Sequence, residues 1–288
     1  MSKVLLHVLG TAQDAGLPQP NCFCANCLQA MDDPAYARQA AALAIVLPEE
    51  KSWHLIDATP DIKTQMIALQ RQFGLEGRRM ESIFLTHAHL GHYPGLLFLG
   101  REAMNTRHIP IFTGERMKQF LETEAPWRQL IELGNIEVNA LSDGHAQQLN
   151  DRVKVTPVDV PHRNEFSETF GFWIEGPHKK ALYIPDIDKW EDWHIDIADA
   201  CHEADMCLLD GTFFSKHDLA GIGRDFREIP HPLMSDTMTR LAALTDVCDI
   251  YFTHLNHGNP VIPKNSDARR ELEARGFHIA EDRMTFEL

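Results

Sequence analysis

Short apolar and β-branched segments alternate along the chain with segments whose apolar residues recur at helical spacing. Ten of the short segments have the length and composition of strands: KVLLHVL, ALAIVL, WHLID, SIFLTH, IPIFTG, VKVTPVDVPH, FGFWIE, KALYIPD, MCLLD and DIYFTH. Four segments between them predict helices: PDIKTQMIALQRQF, GLLFLGREAM, SDTMTRLAALT and NSDARRELEARG. The alternation indicates an α/β fold with many strands, several of which end in His or Asp.

Composition narrows the class of protein. The chain has 288 residues, of which 44% are hydrophobic and 24% are charged, as in ordinary globular proteins. It contains no apolar run long enough for a membrane span, and the start MSKVLLHVLG lacks the features of a signal peptide. We therefore expect a cytoplasmic protein with one domain over residues 1–288, whose one candidate boundary is the polar, turn-rich segment 141–152.

Net charge and residue counts narrow the choice of partners. A formal charge of −15 disfavours binding to polyanions. We expect a small-molecule or peptide substrate and no nucleic-acid or membrane partner. A homodimer is the expected form if the chain assembles. Six Cys residues are too few for a disulfide scaffold, whereas sixteen His residues point to metal binding or proton transfer.

The segment FLTHAHLGHYPGL carries the strongest chemical signal. It places His87, His89 and His92 on a loop between a strand over residues 83–86 and a helix that begins near Pro94. Spacings of two and three residues let a tight turn aim several imidazole nitrogens at one ion. Three buried imidazoles without metal would instead need partners for all their ring nitrogens. A solvated polar loop is the alternative.

Three further donors follow the ends of later strands: His162, Asp186 and His254. Taken singly, each is more often an ordinary hydrogen-bonded or capping residue. Taken in order after a His-x-His-x-x-His loop, they resemble the metallo-β-lactamase superfamily, and the resemblance extends over essentially the whole chain. It implies an α/β fold of the αββα type, with two mixed sheets flanked by helices.

The same resemblance implies a set of ligands. It assigns His87, His89 and His162 to a first metal ion and His92 and His254 to a second. Asp186 would bridge the two ions. Asp57, at the end of the WHLID strand, would orient the histidine loop without touching metal. The superfamily loop normally reads His-x-His-x-Asp-His, and this chain has Gly91 in place of the Asp. Three alternatives stay open: a weak second site, a single metal ion, or a substitute carboxylate such as Asp210.

The segment PQPNCFCANCLQ provides three thiols within six positions, those of Cys22, Cys24 and Cys27. A closed tetrahedral zinc site needs a fourth donor, and His257, three residues after His254, is the candidate. We expect one structural zinc ion here, which would hold the N-terminal loop beside the histidine site. A redox role for the thiols and three idle buried thiols are the alternatives.

Longer segments resemble two families within the superfamily. GTAQDAGLPQPNCFCANC, ALYIPDIDKW, CLLDGTFF, REIPHPLMSDTM and FTHLNHGNP are similar to the PqqB-type proteins of pyrroloquinoline quinone (PQQ) biosynthesis and, less closely, to the PhnP-type cyclic phosphodiesterases. The phosphodiesterase resemblance extends to His257 and implies that His231 is a general acid, whereas a surface-loop histidine is the alternative. We expect Asp210 and Thr212, in LLDGT, to lie directly behind the metal ligands.

Three functions follow from these expectations. The first is a metal-dependent hydrolase with one or two divalent ions (Zn, or Fe or Mn). The ions lower the pKa of bound water to about 7 so that hydroxide attacks an ester or phosphodiester, and Asp186 and His231 are the catalytic side chains. The second, implied by the PqqB resemblance, is an iron-dependent hydroxylase of a tyrosine in a peptide precursor. The third is a non-catalytic metal-binding protein in which Gly91 marks a decayed site.

Overall fold

The computed structural model describes residues 3–216 and 230–288, and its first sheet has seven strands. These strands are β1 (Leu5–Gly10), β2 (Ala42–Leu47), β3 (Ser52–Ile56), β4 (Met80–Phe84), β5 (Ile109–Thr113), β6 (Ile136–Ala140) and β14 (Thr285–Glu287). Their order across the sheet is β14-β1-β2-β3-β4-β5-β6. Strands β3 to β6 pair in parallel, and β14, β1, β2 and β3 pair antiparallel.

The second sheet also has seven strands, and they follow residue 141. They are β7 (Gln147–Gln148), β8 (Lys154–Asp159), β9 (Phe170–Glu175), β10 (Lys180–Ile184), β11 (Met206–Asp210), β12 (Asp249–Thr253) and β13 (His278–Ile279). Strands β10 to β13 pair in parallel, and β7 to β10 pair antiparallel. The polar segment 141–152 therefore contains the crossover between the two sheets as well as β7, the first strand of the second sheet.

Helices cover the outer face of each sheet. They are α1 (Ala25–Asp32), α2 (Ile62–Phe73), α3 (Glu115–Thr123), α4 (Ala125–Glu132), α5 (Ile197–His202), α6 (Met234–Arg240) and α7 (Asp267–Ala274). Residues of α2, α3 and α4 pack with the outer face of the first sheet, and residues of α1, α5, α6 and α7 pack with that of the second. A third apolar cluster, which includes Leu6, Ile45, Phe172 and Tyr183, lies between the sheets. The layers are α, β, β and α, which confirms the predicted fold class.

The all-apolar segment ALAIVL shows why the sequence folds into these layers. All six residues of β2 are buried. Ala42, Ala44 and Val46 face the helices, whereas the alternating residues Leu43 and Ile45 face the second sheet. A strand that is covered on both faces has no polar side to show to water, so its sequence is a continuous apolar run rather than an alternation.

All ten predicted strands are confirmed, but the helix predicted over GLLFLGREAM is wrong. The segment forms a 3-10 helix over Pro94–Leu99 instead. The Gly95 N–H donates to the Ala58 carbonyl at 2.8 Å, which ties the start of this segment to the loop after β3. A Cβ at Gly95 would lie 2.3 Å from the Thr59 carbonyl oxygen, so the chain passes too close to that loop for another side chain. No helix in residues 3–216 and 230–288 is long and apolar enough to cross a membrane.

The strand directions determine where the site forms. In a parallel arrangement the carboxyl ends of neighbouring strands lie along one edge of the sheet. Strands β3 and β4 of the first sheet share such an edge, and β10, β11 and β12 share another in the second sheet. Strand β8, two antiparallel pairings away from β10, runs in the same direction as β10. Every site residue predicted to follow a strand follows β3, β4, β8, β10, β11 or β12.

Candidate metal centre

Four side chains from loops of both sheets form a first group of donors: His87, His89, His162 and Asp186 have ligand atoms within 4.8 Å of one another. His89 Nδ1 lies 2.8 Å from His87 Nε2 and 3.1 Å from His162 Nε2. Asp186 places Oδ2 3.3 Å from His87 Nε2 and Oδ1 3.2 Å from His162 Nε2. The other nitrogen of His89, Nε2, lies 3.2 Å from the Glu165 carboxylate outside the group. The fold thus brings together the residues that the sequence assigns to the first ion.

A second group consists of His92, His254 and Asp14, whose ligand atoms also lie within 4.8 Å of one another. The Nε2 atoms of the two histidines each lie 3.9 Å from Asp186 Oδ2. Both Nε2 atoms are buried and have no hydrogen-bond partner among the described residues. Asp186 therefore adjoins both groups, and its bridging role stays a prediction.

Residues behind His87 and His92 fix which ring nitrogen faces the centre. Asp57 Oδ2 lies 2.7 Å from His92 Nδ1, and the Thr86 hydroxyl lies 3.0 Å from Asp57 Oδ1 and 3.0 Å from His87 Nδ1. An ionised carboxylate only accepts, so His92 Nδ1 and the Thr86 hydroxyl both donate to Asp57, and His87 Nδ1 donates to Thr86. Both rings then present an Nε2 lone pair to the centre. Asp57 occupies the position predicted for an orienting residue.

The same arrangement recurs in the second sheet. His162 Nδ1 lies 2.8 Å from Asp188 Oδ1, and His254 Nδ1 lies 3.1 Å from the Thr212 hydroxyl. That hydroxyl donates to Asp210 Oδ1 at 2.7 Å and so accepts from His254. In each ring Nε2 is therefore the nitrogen that faces the centre, and it is free to bind a cation once any proton on it has been displaced. Four imidazoles are thus held in the tautomer that a metal ion requires.

The electrostatics of the centre favour a cation. Burial alone would raise the pKa of Asp186, but the surrounding imidazoles, of which His162 acts most strongly, hold it well below the usual range. Burial would lower the pKa of His162, but Asp186 and Asp188 outweigh it and raise the pKa to about 10. A buried carboxylate that draws protons onto its neighbours requires positive charge, and a divalent ion supplies it. Together with the unpartnered Nε2 atoms, this donor set fits a divalent metal ion.

His231 lies beside the centre and is paired with Asp210. Its Nδ1 lies 2.8 Å from Asp210 Oδ2 and 3.3 Å from Asp186 Oδ1. Burial would lower the pKa of His231, but the charges of Asp210 and Asp186 outweigh it and raise the pKa above its usual value. Asp210 also accepts from two backbone N–H groups and from Thr212. Asp210 therefore supports His231, and its ligand atom also lies within 4.8 Å of those of Asp186, His231 and His254, so a ligand role for Asp210 stays a prediction. Arg227 to Ile229, the start of the motif REIPHPLMSDTM, lie outside the described residues.

The three N-terminal thiols meet His257 in a separate cluster. Its Nδ1 lies 3.4 Å from Cys22 Sγ and 3.6 Å from the Sγ atoms of Cys24 and Cys27. Donors at about 2.3 Å (sulfur) and about 2.0 Å (nitrogen) from one tetrahedral zinc ion are about 3.5 Å apart, so the spacing fits such an ion. Asn26 ties the cluster further by donating to the His257 carbonyl at 3.0 Å.

Comparison with known proteins places the chain in a family. A family model described as "Beta-lactamase superfamily domain" matches residues 52–280. The chain belongs to the β-lactamase superfamily. Within this superfamily, "Coenzyme PQQ synthesis protein B" of Rhizobium meliloti (strain 1021) is 31% identical over 100% of this chain and 99% of its own length. The chain is therefore PqqB-like, as its longer motifs indicated.

Solved structures agree with this placement in the β-lactamase superfamily. The crystal structure of Zn²⁺-bound PqqB from Methylobacterium extorquens is 26% identical to the chain, with a TM-score of 0.83 over 99% of this chain and 100% of that one. A crystal structure of a diphosphatase from the PhnP family has a TM-score of 0.71 and 23% identity, over 99% of this chain and 97% of that one. At that identity the second likeness shows the fold alone.

Sequence reasoning missed several residues that the fold brings to the centre. Asp14 is in the quoted motif GTAQDAG, but nothing near it in the sequence resembles a ligand pattern. Asp188 follows Asp186 by two residues, and this spacing in IPDID is a signal that the sequence does contain, because both carboxylates belong to one strand-end loop. Thr86 and Glu165 are ordinary residues by sequence. All four contact the centre because loops from distant parts of the chain meet there.

Proposed function

We propose that the protein is a metal-dependent hydrolase that cleaves an ester or phosphodiester at the His/Asp centre. The observation that carries the proposal is the pair of His231 and Asp210, which lies 3.3 Å from Asp186, the carboxylate adjoining both groups of donors. A hydrolase of this kind needs a proton donor for the leaving oxygen close to the site where water is activated.

The chain's own residues divide the work as follows. His87, His89 and His162 would hold a first ion and His92 and His254 a second, and Asp186 adjoins both groups. A divalent metal bound there would acidify water and polarise the substrate's scissile group. Asp210 accepts from His231 Nδ1, which orients the ring and stabilises its protonated form. No described residue bonds to His231 Nε2, and this is the atom that delivers a proton to the departing oxygen.

The ligands also set the class of substrate. Two divalent ions outweigh the charge of the few carboxylates among the ligands, so the loaded centre is locally cationic within a chain of net charge −15. This favours a small or peptide-borne anionic ester over a neutral one. For the thiol cluster we propose one structural zinc ion held by Cys22, Cys24, Cys27 and His257.

The test of the hydrolase compares leaving groups. Metal-loaded protein and the variant His231→Gln are assayed on two series, phosphodiesters and carboxylic esters, each with a p-nitrophenyl and an alkyl leaving group. We expect His231→Gln to lower kcat by about 10²- to 10⁴-fold for the alkyl leaving groups, which need a proton, and much less for p-nitrophenolate. Metal content should stay unchanged, and the exposed His145, replaced by Gln, serves as control.

Two results would count against this proposal. No hydrolysis of any member of either series by protein with measured metal at the centre would refute the hydrolase. An equal loss of kcat for the alkyl and p-nitrophenyl leaving groups would show that His231 is not the proton donor. A merely structural defect lowers kcat for both leaving groups alike.

The full-length likeness to PQQ synthesis protein B favours a second candidate function. It is the iron-dependent hydroxylation of a tyrosine in a peptide, in which one atom of O₂ enters the ring and the other is reduced to water by an added two-electron reductant such as ascorbate. Iron-loaded protein that consumes O₂ only in the presence of a Tyr-containing peptide, and hydrolyses neither ester series, would establish this candidate and exclude the first.

A further inference from the structure

We propose that Asp14, from the loop after β1, supplies the carboxylate of the second metal position in place of loop residue 91. The inference rests on the metal centre of the proposed function. It names a ligand that the histidine loop itself does not contain, and it assigns the chemistry of that ligand, a hard oxygen donor for a divalent cation.

The second group of donors is incomplete without a residue from elsewhere in the chain. His92 Nε2 and His254 Nε2 are buried, have no hydrogen-bond partner among the described residues, and each lies 3.9 Å from Asp186 Oδ2. Two imidazoles and a shared carboxylate give the second ion three protein donors, one donor fewer than the first group offers. Gly91 has no side chain to provide a further donor.

Asp14 lies where that donor is needed. Its carboxylate is within 4.8 Å of the ligand atoms of His92 and His254. Among residues 3–216 and 230–288 no donor forms a hydrogen bond with this carboxylate, so nothing in that part of the chain competes with a cation for it. The residue adopts a left-handed backbone conformation with φ of 43°, which Asp tolerates better than most residues.

Gly91 and Asp14 are spatial alternatives. A Cβ at position 91 would lie 2.9 Å from Asp14 Cα, 3.2 Å from its backbone nitrogen and 3.2 Å from its Oδ1. The loop therefore has no room for a side chain at 91 while Asp14 occupies this place. The carboxylate oxygen of Asp14 stands beside the point from which a residue at 91 would have extended its own side chain.

Hydrogen bonds hold the Asp14 loop against the loop that carries His254. The Gln13 N–H donates to the Leu255 carbonyl at 2.9 Å, and the Asn256 side chain donates to Gln13 Oε1 at 3.0 Å. The neighbours of Asp14 and of His254 are thus bonded to one another. Asp14 is positioned by the same structure that positions a ligand of the second ion, as precise metal binding requires.

The test counts metal ions in the full chain. Apo protein is titrated with Co²⁺, and the ligand-field bands of the His/Asp centre are followed separately from the thiolate-to-cobalt charge transfer of the thiol cluster. Wild type should bind two ions at the centre. Asp14→Asn keeps the shape and tolerates the left-handed conformation, and it should bind one, with the charge-transfer band and the melting temperature of the apo protein unchanged.

Two further variants sharpen the result. Asp61→Asn removes an equal charge next to the same loop, where its carboxylate accepts from the Ala40 N–H, and it should retain both ions. Gly91→Ala removes no donor but displaces Asp14, and it should lose the same ion as Asp14→Asn.

The inference is overturned if Asp14→Asn still binds two ions, if Asp61→Asn loses one as well, or if wild type binds a single ion at the centre. Because the readout is stoichiometry and spectrum, it does not depend on turnover. A failed hydrolase assay would leave these counts unchanged.

Discussion

The His/Asp centre and the thiol cluster each take one ligand candidate from the same short segment, but their donor sets differ in kind. His254 belongs to the first and His257, three residues later, to the second. In the thiol cluster four donors surround one point at tetrahedral spacing, and no carboxylate takes part. The centre instead has two groups of imidazoles that share Asp186, each supported from behind by a further hydrogen bond.

This difference suits the thiol cluster to a structural role and the His/Asp centre to a catalytic one. A closed tetrahedral site of three thiolates and one imidazole leaves no position for a substrate, so the thiol cluster is suited to fixing the N-terminal loop. Two ions that share one carboxylate can expand their coordination to bind water and substrate. Loss of a ligand should therefore act mainly on stability in one region and mainly on turnover in the other.

The largest effect is expected at the centre. His89→Ala removes the most exposed donor of the histidine loop, whose side chain is 16% exposed against 1% for His87 and 1% for His92, so it costs the least packing of the three. Loss of its metal should lower turnover by about 10³-fold or more, since the ion supplies several kcal/mol of stabilisation to the transition state. The zinc of the thiol cluster should remain. Elemental analysis and kinetics check this, with exposed His145→Ala as control. Undiminished turnover would contradict it.

The next effect is on stability, at the thiol cluster. Cys24→Ser should release its zinc and lower the free energy of unfolding by about 3 kcal/mol or more, or the melting temperature by about 6–12 °C. Folded protein should still load metal at the His/Asp centre. The control Cys201→Ala removes a buried thiol outside the cluster, and it should cost about 1 kcal/mol without zinc loss. Loss of zinc with no change in the free energy of unfolding would contradict a structural role for the thiol cluster.

A smaller effect should follow from residues behind the ligands. Asp57→Asn weakens the hydrogen bond to His92 Nδ1, and we expect metal affinity at the second position to fall about 10- to 100-fold. Asp188→Asn makes the same change behind His162, but the Asp188 side chain is 32% exposed whereas that of Asp57 is fully buried. Its effect should be smaller, because water can replace part of the bond. Competition titrations measure both, and the reverse order would contradict the argument.

The smallest effect concerns pH and applies to both regions. Burial raises the pKa of Cys27 to about 12, and the pKa of His162 is about 10, so each carries a proton at neutral pH that metal must displace. Affinity should therefore rise about tenfold per pH unit for each displaced proton and be lost as pH falls. Zinc titrations of His89→Ala report the thiol cluster, and those of Cys24→Ser report the centre. A flat profile in either variant would contradict the assignment of its protonated donor.

Much of the site follows from local sequence. His87, His89 and His92 lie close enough in sequence to come together within a single turn, and so do Cys22, Cys24 and Cys27. Strand-end positions such as Asp186 and His254 follow from short apolar runs that stop at a polar residue. The helix after the histidine loop is the exception, since contact with the loop after β3 tightens it into a 3-10 helix.

What only the tertiary structure decides is which distant loops meet. Asp14 and His92 are far apart in sequence, and nothing in either segment indicates that the loop after β1 fills the space beside Gly91. The pairing of His231 with Asp210 likewise joins a loop to a strand end. Sequence determines elements and local turns because these depend on neighbouring residues. Contacts between loops depend on the strand order within each sheet and on the packing of the two sheets against each other, and neither is determined by a short stretch of sequence.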